Sequence, residues 1–183
     1  MKAEPLVALR YMTRFRCTGA ECIDTCCAGW NVLVDEEHYV QLRRVLGTTP
    51  TDAAHFDARV PLMAPEVRKR HSHATFAMRE GGNCPFLNAG RLCAIQETHG
   101  ADLLPNTCAE YPRMLNEVGE RSELSGYPSC PEAARLMLFE SDATDRIEVT
   151  PATLGLERRP VWSARVESSD VVLADLLRDA LYG

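Results

Sequence analysis

Eight cysteines in 183 residues, three of them inside Cys22-Ile23-Asp24-Thr25-Cys26-Cys27, stand beside two hairpin signatures and several short capped helical patterns. Together these predict an α+β fold, a small irregular cysteine-cluster domain whose short helices and β-hairpins surround a metal site. A chain of this length with 45% hydrophobic residues suits one domain, or one and a fraction. Residues 1–140 read as the cysteine-rich metal-binding domain. Residues 141–183 read as a linker and the start of a C-terminal helical region, VVLADLLRDALYG, with the chain stopping partway into it.

The elements follow in order. Val7 to Arg16 alternates loosely and reads as a strand leading into Cys17. Cys22 and Cys26 are four residues apart, so one helical turn would place both sulfurs on one face, with Cys27 pointing about 100° away. Either Gly29 marks a distorted helix end that lets both adjacent thiols converge, or Cys27 serves a second site or the core. Asp35 caps a helical pattern in Tyr39, Val40, Leu42, Val45 and Leu46, closed by Gly47. Thr48 to Met78 is poorly patterned, with Pro50, Pro61 and Pro65 breaking regularity. His71 and His73 would share one strand face, and with no cysteine or carboxylate at tight spacing they rank behind the thiols as metal ligands.

In Cys84–Ile95, CPFLNAGRLCAI, two apolar runs flank Asn88-Ala89-Gly90, which predicts a β-hairpin bringing Cys84 close to Cys93. Gly100 ends a short helix begun near Ala94, and Thr107 to Arg113 reads as a turn or single helical turn stopped by Pro112. A second hairpin centres on Gly119. Ser129-Cys130-Pro131-Glu132 then starts a helix carrying AARLMLF as its apolar stripe, with Pro131 in the first turn and Glu132 completing a capping box. Cys130 would sit at the positive end of that helix, a position that favours its thiolate.

Metal and disulfide readings compete for such thiols, and compartment decides between them. The start, MKAEPLVALRYMTRFRC, has no signal-peptide apolar region, and nothing later approaches the roughly 18 uninterrupted apolar residues of a membrane span. The expectation is a cytoplasmic protein without a membrane partner, where thiols serve metals or catalysis more often than disulfides. The formal net charge of -6 argues against nucleic acid as a partner. The local basic cluster Arg10, Arg14 and Arg16 either offsets the charge of a thiolate-ligated metal or is a solvated face.

Several blocks now match a known pattern in order: YMTRFRCTGAECIDTCCAGW, CPFL, LCAIQETHG, NTCAEYPRM and SCPEAARL. This run, from about Tyr11 to Leu138 and including all eight cysteines, closely resembles the flagellin lysine-N-methylase family. More distantly, it resembles the family of zinc- or iron-chelating domains named for a CxxCxxCC pattern. The resemblance implies a bacterial methyltransferase that uses S-adenosyl-L-methionine to methylate lysines of flagellin, its protein partner. It also implies a 4Fe-4S cluster, with zinc as the alternative metal. Cys17, Cys22, Cys26, Cys27, Cys84, Cys93, Cys108 and Cys130 are the candidate ligands, of which four would suffice. Family members continue well beyond this length.

Methyl transfer to lysine needs a neutral amine, an aligned sulfonium donor and an acceptor for one proton. Glu110, Tyr111 and Glu132 lie inside the matching blocks and are candidates for that acceptor, although capping or surface roles suit them as well. No Gly-rich strand-to-helix turn of the dinucleotide type is present to hold the donor. An iron with an open position is the remaining way to anchor an amino-carboxylate. Cys22, Cys26 and Cys27 do not have the CxxxCxxC spacing of radical enzymes. Two other classes stay open: a module whose zinc or iron is purely structural, serving binding or assembly, and a thiol switch built on a Cys26–Cys27 disulfide.

Overall fold

A computed structural model describes residues 6–118, 121–150, 154 and 163–166. In chain order the strands are β1 (Leu6–Leu9), β2 (Leu33–Val34), β3 (Ala74–Thr75), β4 (Arg113–Val118), β5 (Arg121–Gly126), β6 (Arg146–Val149) and β7 (Ser163–Val166). The helices are α1 (Arg10–Arg14), α2 (Glu36–Leu46), α3 (Pro50–Arg59), α4 (Ala94–His99), α5 (Asn106–Glu110) and α6 (Pro131–Phe139). The fold is therefore α+β, with short helices and small sheets, as the sequence predicts. It divides into two compact units that alternate along the chain. Unit one gathers the described residues of Met1–Thr18, Cys22–Asp24 and Glu110–Gly183, and unit two holds Gly19–Glu21 and Thr25–Ala109.

Unit one is built on a five-stranded sheet in the order β6-β1-β5-β4-β7. The hairpin expected around Gly119 is β4 and β5, antiparallel from Arg113 opposite Gly126 to Val118 opposite Arg121. β1 lies parallel to β5 and antiparallel to β6. The stretch expected to run as one strand from Val7 to Arg16 instead turns helical at Arg10. The Arg10 and Tyr11 amides donate to Asp145 O (2.9 Å) and Ala143 O (3.1 Å), so the loop after α6 satisfies donors that a strand would have paired. The cations of α1 meet the acids of the same loop: Arg10 pairs with Asp142 (3.1 Å), and Arg14 with Asp142 (2.7 Å) and Glu140 (3.2 Å).

On the other face of α1, Tyr11, Met12 and Phe15 pack with Leu124, Ala133 and Leu136. The buried Tyr11 hydroxyl donates to Gly126 O (3.0 Å) and accepts from Gly126 N–H (2.6 Å). Burial pushes this phenol up to about 12, so it stays protonated and can serve both bonds. A Cβ at Gly126 would stand 2.5 Å from Met12 Sδ, so the buried Met12 side chain would have to shift to admit one.

Unit two carries α2 to α4, β2 paired antiparallel with β3, and the start of α5. Its core includes Val32, Val34, Leu42, Phe56, Phe76, Phe86 and Ile95. α2 begins and ends where expected: Asp35 Oδ1 accepts from His38 N–H (3.1 Å), and the Gly47 amide closes on Arg43 O (2.9 Å). The segment read as patternless contains α3. Thr49 accepts from Asp52 N–H (3.1 Å) as its N-cap and Pro50 occupies the first turn, so the proline that suggested a break begins a helix. β3 starts only at Ala74, so His71 and His73 share no strand face. The His73 ring packs on Tyr39 with centroids 5.0 Å apart.

Asp35 does more than cap α2. Its other oxygen accepts from the Asn106 amide (3.0 Å) at the start of α5, and Oδ1 also meets His38 Nδ1 (2.8 Å). Burial opposes the charge, but the bonds from His38 and Asn106 outweigh it and hold the carboxyl at about 2. The region VVLADLLRDALYG lies outside the described residues. No helix among the described residues is long and apolar enough to cross a membrane.

Two predictions follow from this packing. Gly126→Ala is expected to cost about 1–3 kcal/mol, because Met12 must leave its buried position. A denaturant midpoint equal to the parent's would refute the steric account. For Asp35 the folded pKa lies below the unfolded value of roughly 4, so its stabilisation is present above that pH and is lost as pH falls toward 2. The gap in thermal midpoint between parent and Asp35→Asn should therefore be wide at neutral pH and narrow between about pH 4 and 2. A gap that does not change with pH contradicts this role.

Candidate metal centre

All eight cysteines are unbridged, and they fall into two sets. Unit two holds Cys26, Cys27, Cys84, Cys93 and Cys108. The Cys84 amide donates to Cys27 O (2.7 Å), which registers the Cys84 loop against the Cys26-Cys27 turn. Cys27 makes thiol contacts with Cys26 and Cys84, and the charge of Cys93 reaches it. Cys108, on α5, feels Cys93, Cys27 and Cys26. These five thiols come from four separated segments of unit two.

The loop between Cys84 and Cys93 is hairpin-like, with Leu87 bridging Cys93 and the Asn88 amide donating to Leu92 O (2.9 Å). Asn88 Oδ1 accepts from Leu92 N–H (3.0 Å), and its amide nitrogen donates to Glu97 (2.8 Å), tying the turn to α4. The Arg79 guanidinium donates to Pro85 O (2.5 Å) and Leu87 O (3.2 Å). The Phe86 amide donates to Cys84 Sγ (3.4 Å), an outer contact that favours the thiolate. Sequence patterning did not reveal Arg79 as a brace, since its partners are backbone carbonyls.

Unit one holds Cys17, Cys22 and Cys130. Cys130 precedes Pro131 at the start of α6, and the charges of Cys22 and Cys17 reach it. The expected common face for Cys22 and Cys26 does not exist. Only the short 3-10 turn Gly19–Glu21 is helical there, and Cys22 and Cys26 belong to different units. The expected capping box is absent too, because Glu132 binds Arg135 (2.8 Å).

Burial and contacts between the thiols set the electrostatics. Burial pushes the Cys108 thiol far up, with Cys93, Cys27 and Cys26 adding to the effect. The Cys26 contact favours a Cys27 thiolate, but the Cys84 contact, burial and neighbouring charges push Cys27 up to about 11. Cys84 is lowered, first by its contact with Cys27. Cys130 is raised by burial, which outweighs the nearby Ala133 and Glu132 amides, so the helix end does not set its protonation as the sequence suggested. Several of these thiols can ionise together only beside a cation. The donor set suits thiophilic zinc or iron. Among the described residues no three His, Cys, Asp or Glu side chains stand at ion-holding spacing.

The three acid–base candidates all lie in unit one. Glu110 is buried, the Tyr111 hydroxyl meets Ser129 Oγ (3.1 Å), and Glu132 is engaged by Arg135. The Tyr111 ring stacks on Tyr127 with centroids 6.4 Å apart. A cavity of about 230 Å³ in unit two is lined by Asp52, His55, Arg59, Phe86, Ile95 and His99 among others, and no thiol lines it.

Known proteins share this pattern. The model of the CxxCxxCC family, described as "Putative zinc- or iron-chelating domain", matches residues 16–131 and so includes all eight cysteines. In this chain the spacers are four and three residues, Cys17 to Cys22 and Cys22 to Cys26. A Lysine-N-methylase of Salmonella typhimurium is 27% identical over 98% of the chain, and one of Salmonella choleraesuis is 27% identical over 98%. The chain spans 44% of the length of each of these two. A Flagellar biosynthetic protein FliU of Salmonella muenchen is 30% identical over 78% of the chain and 82% of its own length. No solved structure matches the chain. On the family match over residues 16–131, the chain belongs to the CxxCxxCC family of zinc- or iron-chelating domains.

Proposed function

We propose that this chain is the metal-binding part of an S-adenosyl-L-methionine-dependent lysine N-methyltransferase that acts on flagellin in the cytoplasm, with a cysteine-ligated 4Fe-4S cluster. The observation that carries the reading is similarity to two lysine-N-methylases along 98% of the chain, in a sequence whose cysteines gather into thiol sets. The flagellar name of the third relative supports flagellin as the acceptor.

Methyl transfer breaks the sulfonium–methyl bond and forms a nitrogen–methyl bond, and the lysine amine gives up one proton. Holding donor and amine in line supplies on the order of 7–11 kcal/mol of barrier reduction. A thiolate-held cluster with one iron position open would supply a chelating point for the donor's amino-carboxylate. Among the chain's own groups, the Tyr111–Ser129 pair offers hydroxyls that can hold or relay the proton, and buried Glu110 is a further acceptor. Glu132 is the weakest acceptor of the three, because Arg135 engages both carboxylate oxygens and holds its pKa down.

One observation favours a second reading. Cys84 is buried in the apolar core of unit two and Cys27, Cys93 and Cys108 pack against it, which suits a structural zinc or iron without methylase activity.

Calorimetry with the cluster-loaded and metal-free chain separates the two readings. Binding of S-adenosyl-L-methionine to the loaded form, weaker in the metal-free form, together with methyl-lysine on flagellin by mass spectrometry, is the expected result. No donor binding in either form would replace the methylase reading with the structural one.

A further inference from the structure

The cavity of about 230 Å³ in unit two is lined chiefly by α3 and α4 and takes no part in the thiol region. Its floor is apolar, made by the buried Phe56, Phe86 and Ile95. An edge contact with Phe76, centroids 5.1 Å apart, fixes the Phe86 ring, and the Ala94 amide donates to Phe86 O (2.8 Å), which holds the start of α4 beside it. The rim is polar. His55 and Arg59 stand one turn apart on α3, and Thr98 and His99 stand at the end of α4. Among the described residues the one acid in the lining is Asp52, which accepts from the Thr48 (3.2 Å) and Thr49 (2.7 Å) hydroxyls at the start of α3.

Arg59 sets the chemistry of the rim. Its guanidinium lies over the Phe86 ring, with Cζ 5.7 Å from the centroid. An arginine seated on an aromatic face keeps its N–H edge for a planar acceptor, and a carboxylate matches that fork with two parallel bonds. Carboxylates engage Arg10, Arg14, Arg43, Arg135 and Arg146, and among the described residues none engages Arg59. Size narrows the class further. A cavity of about 150 Å³ holds a benzene, and pockets for drug-sized ligands run from roughly 300 Å³ upward. The space therefore admits one aromatic ring with a short substituent.

We infer that this cavity binds a small aromatic carboxylate, with its ring on Phe56, Phe86 and Ile95, its carboxylate on the Arg59 fork, and the imidazoles of His55 and His99 flanking that carboxylate. The site goes beyond the methylase reading, because the whole methyl donor, a nucleoside joined to an amino acid, exceeds a space sized for one substituted ring.

Calorimetry on the full, metal-loaded chain with phenylacetate as the probe tests the inference. The parent should bind phenylacetate saturably, and should bind phenylacetamide, which keeps the ring and loses the charge, about tenfold more weakly. Arg59→Gln should weaken phenylacetate by about tenfold, and Ala94→Leu, which fills the space beside Phe86, should abolish its binding. No saturable binding of phenylacetate by the parent, or equal binding of phenylacetamide, overturns the site, and neither result needs a variant that folds. Unchanged affinity in folded Arg59→Gln overturns it as well. Inorganic phosphate that binds as tightly as phenylacetate would overturn the role of the apolar floor. S-adenosyl-L-methionine should not displace phenylacetate; displacement would join the cavity to the donor's site and overturn its independence. The readout is phenylacetate binding, not methyl transfer, so absence of methylation removes the methylase reading and still supports this site where phenylacetate binds as described.

Discussion

Thiolates repel one another, and in a low-dielectric interior that repulsion is weakly screened. Every other feature of the thiol region answers to this constraint. Unit two holds five thiols, with Cys84 in the apolar core, Cys27, Cys93 and Cys108 partly buried against it, and Cys26 exposed. Burial raises Cys108 with neighbouring sulfurs adding to it, and the Cys84 contact, burial and neighbouring charges raise Cys27 against the Cys26 contact. A bound cation would offset the repulsion between such thiolates. Binding energy for a metal held there would be folding energy for the segments that carry the thiols.

The scaffold reflects that dependence. Short elements supply little cooperative stability of their own. Particular polar groups therefore fix the thiol-bearing loops: Arg79 on the carbonyls of the Cys84 loop, Asn88 inside its turn, and Asp35 joining the starts of α2 and α5. In unit one the equivalent fixing is done by the Tyr11 hydroxyl on Gly126 and by the acids after α6 on Arg10 and Arg14. The sequence leaves these arginines either as counter-charges for a metal or as a solvated face. Their partners are carboxylates some 130 residues away, which no local pattern reveals.

Local signals were read correctly where the chemistry was local. The caps of α2, the Gly100 end of α4, the Cys84–Cys93 turn and the β4–β5 hairpin all depend on residues a few positions apart. The failures are of two kinds. Pro50 suggests a break in the sequence, whereas Thr49 before it makes it a helix start, so the capping context decides what the proline means. Cys22 and Cys26 were placed on one helical face from spacing alone, whereas the chain changes compact unit between them, an outcome set by long-range contacts. The membership of the thiol sets was likewise hidden, since Cys130 joins Cys17 and Cys22 across more than a hundred residues. The sequence names all eight cysteines as candidate ligands, while their division between the two compact units follows from long-range contacts that no local pattern carries.

The central claim is that sulfur, supplied by cysteines from separated segments, is the ligand that organises this fold. X-ray absorption at the metal edge of the loaded chain tests it most directly. The account predicts a first shell dominated by sulfur, at about 2.3 Å for zinc. A shell dominated by nitrogen or oxygen at about 2.0–2.2 Å would contradict it, because the metal would then sit on histidines or carboxylates and the gathered thiols would need another explanation.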